Sequence, residues 1–176
     1  MPGRTAENAD NALLEPLRRA LSCVTNAELY VSPASSEDAR ALKMRVDPLR
    51  LQSSEVPGGL LLRLRQQFRS VRDPGAPRGE RWHVSTVAYD YRINRADSGS
   101  ELLSWHWHPT TGVPFPHLHV AADALSRRVH VPTGRVSIEA VVRMLLGELG
   151  VSPKRPKWEQ VLAASERPFL KYRRWG

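Results

Sequence analysis

The stretch Glu101-Leu102-Leu103-Ser104-Trp105-His106-Trp107-His108, followed after a short loop by Pro116-His117-Leu118-His119-Val120-Ala121, decides how this chain is read. Both halves alternate. Successive side chains of a strand point to opposite faces, so Leu103, Trp105 and Trp107 share one side and Ser104, His106 and His108 the other. In the second half Leu118 and Val120 oppose His117 and His119. The connection Pro109-Thr110-Thr111-Gly112-Val113-Pro114-Phe115-Pro116 is rich in turn formers and reads as the loop of an antiparallel hairpin. A hairpin centred on that loop sets His108 opposite His117 and His106 opposite His119, with opposed Cβ atoms about 5 Å apart. Four imidazoles then line one face, while Trp105, Trp107, Leu118 and Val120 cover the other. A one-residue slip would scatter the set.

Working outward, Arg81–Ile93 carries Val84, Thr86, Val87, Tyr89, Tyr91 and Ile93 and reads as a strand. The segment Leu60–Val71 fits two periods: Leu61, Leu64, Phe68 and Val71 suit a helix, whereas Leu60, Leu62 and Leu64 alternate with Arg63 and Arg65 as in a strand. The turn-rich Asp73–Gly79 between these segments favours a hairpin. Asp97-Ser98-Gly99 is a turn, and Arg127–Val131 is a further short strand closed by Pro132-Thr133-Gly134. Ser137 is a good N-cap for a helix reaching Leu149, with Ile138, Val141, Val142, Leu145 and Leu149 as its apolar stripe. Glu139 suits the first turn of that helix, and Gly150 suits its C′ position. A second helix is expected over Lys157–Ser165, with Trp158, Val161 and Leu162 inward.

Upstream of Leu60 the pattern weakens. Residues 1–10 read as unstructured, 11–23 as a helix with Leu13, Leu14, Leu17, Ala20 and Leu21 on one face, and Ala27–Val31 as a short extended piece ended by Pro33. Residues 34–59 are mixed, with a break at Pro57-Gly58-Gly59. The expected fold class is α+β: a meandering antiparallel sheet packed against C-terminal helices, with an N-terminal helical extension. The expected division is an extension with one helix at 1–59, an α+β core at 60–166 and a basic, aromatic tail at 167–176.

At 176 residues with 41% apolar content, the chain can bury one sizeable core. Its formal net charge of +8 and isoelectric point near 10.4 favour polyanionic partners, nucleic acid first. The lone cysteine, Cys23, excludes an internal disulfide and a cysteine-rich zinc site, and its place at the end of an amphipathic helix suits a core residue. Residues 1–12 are polar, with Glu7 and Asp10, and show no signal-peptide pattern. No apolar run reaches the roughly 20 residues of a membrane helix. A cytoplasmic protein with no membrane contact is expected.

All six histidines lie from His83 onward, and five fall between His106 and His130. Histidine titrates nearest neutrality and also ligates metals, so three readings of the histidine face stay open. In general acid–base catalysis on a phosphodiester, one neutral imidazole takes a proton from a nucleophile such as an RNA 2′-OH, and a protonated one gives a proton to the leaving oxygen. Arg128 and Arg127 would then stabilise the added negative charge. In a metal site, imidazoles on neighbouring strands ligate zinc, nickel, iron or copper. In the third reading the histidines are hydrogen-bonded and inert on an exposed face. A cupin-like site would need a glutamate soon after the first His-x-His, and none occurs between Glu101 and Glu139. A histidine-triad hydrolase would need a histidine two residues beyond His119, where Ala121 stands. Walker loops, dinucleotide fingerprints and zinc-finger spacings are missing too.

The tail Arg167-Pro168-Phe169-Leu170-Lys171-Tyr172-Arg173-Arg174-Trp175 mixes cations with aromatics. Lys171, Arg173 and Arg174 there could hold phosphates while the rings stack on bases, or the rings could simply dock on the core. Arg63, Arg65, Arg69 and Arg72 could line the same surface or form an ordinary solvated face.

Tyr89-x-Tyr91, the strand ending at His108-Pro109, Phe115-Pro116-His117-x-His119-Val120 and the Ser-capped helix together resemble the small bacterial TumE-like proteins of toxin–antitoxin pairs. The resemblance runs from Tyr89 to about Gly150. It departs where that family shows Pro-His-His before the loop and this chain has Trp107-His108-Pro109. It implies an α+β fold, a toxin activity directed at RNA and a cognate antitoxin protein as partner, and it carries over His108, His117 and His119. The expected function is therefore a toxin-like, metal-independent ribonuclease with no cofactor. His108, His117 and His119 transfer protons, and His106, Arg128 and His130 assist. The alternatives are a non-enzymatic binder of nucleic acid or of a partner chain, and a histidine-ligated metalloprotein.

Overall fold

In chain order the elements are β1 (Pro2–Gly3), α1 (Ala6–Leu21), β2 (Leu29–Val31), β3 (Arg40–Met44), β4 (Leu49–Leu51), β5 (Leu60–Arg72), β6 (Trp82–Arg95), β7 (Glu101–Trp107), β8 (His117–Val120), β9 (Val131–Pro132), α2 (Ile138–Gly147) and α3 (Trp158–Tyr172). They come from a computed structural model that describes residues 2–33, 39–121 and 129–172. The described strands form one antiparallel sheet in the order β2-β3-β5-β6-β7-β8-β9, with β1 added to β6 and β4 to β5. The α+β class is as expected.

The ambiguous Leu60–Val71 segment is a strand, and β5 and β6 pair along their whole length from Leu60↔Arg95 to Arg72↔Trp82. Pairing decides between the two periods. As a strand, the segment aims Leu60, Leu62, Leu64 and Phe68 at the core and leaves Arg63 and Arg65 outside. The ladder shifts register once, where Gln67 faces Ala88 and Phe68 faces Thr86, so Val87 is an extra residue on β6. This bulge lets both halves of β6 keep an apolar inner face: Val84 and Thr86 before it, Tyr89, Tyr91 and Ile93 after it.

The inner face of the sheet carries all three helices. Leu13, Leu17 and Leu21 of α1, Ile138, Val142 and Leu145 of α2 and Leu162 of α3 join the inward residues of the strands in one buried cluster. At roughly 1.5–3 kcal/mol for each large apolar side chain fully buried, this shared core ties the helices to the sheet. Thr5 caps α1 by accepting from the backbone of Asn8 at 3.1 Å, and Ser137 caps α2 by accepting from Ala140 at 3.0 Å. Cys23 is buried, as its helix-end position suggested.

Several expectations are corrected. Residues 1–10 are not unstructured from Pro2 on: Pro2 and Gly3 pair with His83 and Trp82, and α1 starts at Ala6. The stretch read as an extension with one helix also supplies β2, β3 and β4, which pair into the sheet, because Leu42, Met44, Leu49 and Leu51 complete the core beside β5. The second C-terminal helix does not stop at Ser165 but runs to Tyr172, so Arg167–Tyr172 is helix rather than tail. Gly150 does adopt a left-handed φ of 60° but lies two residues past the cap at Glu148. The short strand expected at Arg127–Val131 is found at Val131–Pro132, and Arg127 and Arg128 lie outside the described residues. Among the described residues no helix is long and apolar enough to cross a membrane.

Candidate functional site: a histidine cluster on the outer face

The hairpin β7–β8 forms, but in a register two residues from the expected one. His106 faces His117 and Ser104 faces His119, with Trp105 opposite Leu118 and Leu103 opposite Val120. The loop explains the difference. Pro114 and Pro116 have no N–H to give a ladder, so β8 starts at His117. His108 leaves the strand, its carbonyl accepting from Thr111 N at 3.0 Å in a turn, and Trp107 Nε1 donates to Pro114 O at 3.2 Å across the loop. A slip of two, unlike a slip of one, keeps every side chain on its face, so the histidines stay together.

Four rings converge. The centroids of His117 and His119 are each within 5 Å of His130, at 4.5 and 4.7 Å, and 5.1 Å from each other. His106 stacks on His117 at 5.7 Å and meets His119 edge-on at 5.2 Å. His108 stands at the rim, 6.2 Å from His106. His130 reaches the cluster because β9 pairs with β8, setting His117 against Pro132 and Leu118 against Val131. One ring nitrogen from each of His117, His119 and His130 can be chosen so that all three lie within 4.8 Å of one another.

Hydrogen bonding decides which nitrogens are available. His117, buried at 5% exposure, places Nδ1 3.0 Å from Phe115 O. A carbonyl only accepts, so Nδ1 carries the proton and Nε2 keeps its lone pair. His130 Nδ1 is buried and has no hydrogen-bond partner among the described residues. Protonation is disfavoured at two of the rings. Burial pulls His106 down from 6.5 to about 4, helped by Arg92, His119 and His117 and opposed by Asp90, whose Oδ1 lies 3.9 Å from His106 Nδ1. Burial, then His117 and His119, lower His130 as well. His106 and His130 are thus held toward the neutral form.

The ladder also joins the cluster to a basic track. Directly opposed residues share a face, and one row reads Lys43, Arg65, Asp90, His106, His117 from β3 to β8. The neighbouring row reads Arg63, Arg92, Ser104, His119. Arg63 and Arg65 share the single carboxylate of Asp47, at 2.9 and 3.4 Å, while Asp90 takes both arms of Arg92 at 2.7 and 2.8 Å.

Of the expected site residues, His106, His117, His119 and His130 are brought together, with His108 beside them. Lys171 is not: it sits near the end of α3, on the helix side of the sheet. Arg127, Arg128, Arg173 and Arg174 lie outside the described residues. Asp90 and Arg92 escaped the sequence reading, although their even positions between Tyr89, Tyr91 and Ile93 mark them as outward. Comparison with protein-family models, with curated proteins and with solved structures found no match.

Proposed function

We propose that His117, His119 and His130 hold one divalent transition-metal ion, with His106 within reach as a fourth imidazole, and that this ion is the working centre of the protein. The convergence of three ring nitrogens within 4.8 Å carries the reading. Zinc–nitrogen bonds of about 2.0–2.1 Å in a tetrahedron put ligand nitrogens about 3.3 Å apart, so small side-chain rotations close the site. The Nδ1 of His130, which has no hydrogen-bond partner among the described residues, and the lone pair left on Nε2 of His117 by its Nδ1–H bond to Phe115 O are the donors such an ion would use. Imidazole ligands suit zinc, copper, nickel and iron. When bound, such an ion supplies a Lewis acid and lowers the pKa of a coordinated water toward 7.

A second reading keeps the expected ribonuclease. It is favoured by the register that lines Lys43, Arg63, Arg65 and Arg92 up with the histidines on one face, a surface suited to a phosphate backbone. Here His108, His117 and His119 transfer protons without metal, His106, His130 and Arg128 assist, and the toxin role, the antitoxin partner and a cytoplasmic setting follow from the TumE-like resemblance. A binder of RNA without catalysis would use the same arginines and survive loss of the histidines.

Untagged protein analysed for metals, then dialysed against zinc, tests the first reading. One ion per chain is expected, lost on His117→Ala and His119→Ala; a protein that takes up no zinc at micromolar levels would sink it. RNA cleavage that persists in a chelator and disappears with those substitutions would establish the second reading instead.

A further inference from the structure

The opposite face of the same strands encloses a cavity of about 490 Å³ between the sheet and the helices, within the range usual for small-molecule sites. Its walls include Leu13 and Leu17 of α1, Tyr89 and Tyr91 of β6, Trp107 of β7 and Phe169 of α3. The two tyrosine rings stack on each other at 4.8 Å, and Trp107 tilts against Tyr89 at 6.0 Å, so one wall is aromatic. Flat rings stack on such surfaces.

Most polar groups at this wall already have partners. Tyr91 Oη donates to Gln66 Oε1 at 2.7 Å, Gln66 Nε2 donates to Thr86 Oγ1 at 3.1 Å, and Tyr89 Oη accepts from Val136 N at 3.2 Å. Glu139 is the exception. It lines the cavity, is 2% exposed, and its Oε2 has no hydrogen-bond partner among the described residues. The neighbouring charges do not serve it: Arg143 donates to Glu166 at 2.8 Å, and Ser137 donates to the same carboxylate at 2.6 Å. A buried carboxyl oxygen left without a donor is costly, and an aliphatic side chain at this place on α2 would have packed at no such cost. A group that waits for a donor is the ordinary reason to keep it.

The charge of the occupant is also constrained. Arg135 lines the cavity, with its guanidinium over the Trp107 ring at 4.4 Å, so a cationic body would meet a like charge there. We infer that the cavity binds a small neutral aromatic molecule that stacks on the Tyr89–Tyr91–Trp107 wall and donates an N–H to Glu139. Nitrogen heteroaromatics of the indole or lactam kind belong to this class. Burial raises the carboxyl of Glu139 to about 7, in keeping with a site shaped for a neutral guest. The site lies on the other side of the sheet from the His106–His117–His119–His130 cluster, and neither metal nor RNA enters its test.

Isothermal titration calorimetry with indole, and with N-methylindole as the guest of like shape that lacks the donor, tests the inference on the full chain at pH 8. Indole is expected to bind, with N-methylindole at least about tenfold weaker because Glu139 is then left unpaired. Glu139→Leu should abolish the preference for indole, and Glu139→Gln, which keeps an acceptor oxygen, should retain part of it; circular dichroism verifies that each variant is folded. Equal affinity of the two guests for the wild-type protein, or no heat from indole up to roughly 1 mM, would overturn the proposal.

Discussion

The two faces of strands β6 and β7 are built from alternating residues of the same segments, yet they are different materials. Inward, Tyr89, Tyr91, Ile93 and Trp105 belong to the buried cluster shared with the helices. Outward, Asp90, Arg92, Ser104 and His106 form rows of ionic and imidazole groups. On the inner face, stability comes from area removed from water and from close fit, where the loss of one side chain leaves a hole. On the outer face, Arg63, Arg65 and Arg92 are partly exposed, so their ion pairs contribute little to stability, while the histidines beside them are largely shielded. A strand period of two therefore separates what holds the fold from what can work on a ligand, with less than a residue's width between them.

The largest effect that could break this contrast is on the inner face. Phe68 is fully buried, and Phe68→Ala is expected to cost about 3–5 kcal/mol in urea unfolding; a cost near that of a surface change would mean the core is not organised as described. Glu139 gives the next effect. Its carboxyl is raised from 4.5 to about 7 in the folded chain, so the folded form keeps a proton that the unfolded form releases. Stability is then undiminished below the unfolded value and falls as pH rises from about 4.5 to 7. Glu139→Gln removes this loss. It should gain up to about 3 kcal/mol over wild type at pH 8 and nothing near pH 4, and an unfolding series at both values would detect the opposite slope if the assignment were wrong.

The outer face should respond to ligands instead. Zinc at about 100 times its dissociation constant should raise stability by about 2.7 kcal/mol, and the rise should vanish in the His117→Ala, His119→Ala double variant measured against its own metal-free midpoint. The smallest effect belongs to Arg65, which shares Asp47 with Arg63 and is half exposed. Arg65→Ala should cost less than about 1 kcal/mol in stability while weakening salt-dependent RNA binding, if RNA binds this face. A large stability loss there, or an unchanged salt slope, would blur the contrast between the faces.

Legibility in the sequence followed range of contact. The alternation of Leu103–His108 and of His117–Val120 is local, and it correctly placed the histidines on one side of the sheet. The exact partners were not local, because a turn stabilised by His108 O and two ladder-breaking prolines decided them. β3 and β4 are short, and what holds Leu42, Met44, Leu49 and Leu51 inward is pairing with β5, which no local window displays. Glu139 was read as an acid suited to the first turn of its helix, and nothing local marks it as buried, yet it is 2% exposed. His130 could be named as a candidate from composition, but its place beside His117 and His119 depends on β9 returning to pair with β8.

The extra residue Val87 has a consequence best put in terms of reading frame. Before it, even-numbered residues of β6 face the core; after it, odd-numbered ones do. Deleting Val87 would leave the pairing intact, because Thr86 and Ala88 already face the adjacent residues Phe68 and Gln67. The two parities would close into one regular alternation, with Val84, Thr86, Tyr89, Tyr91 and Ile93 all still inward. Substitution at Val87 leaves the frame intact as well. The position should thus tolerate many side chains and even its own loss, whereas forcing Val87 into the ladder would turn Asp90 and Arg92 toward the core.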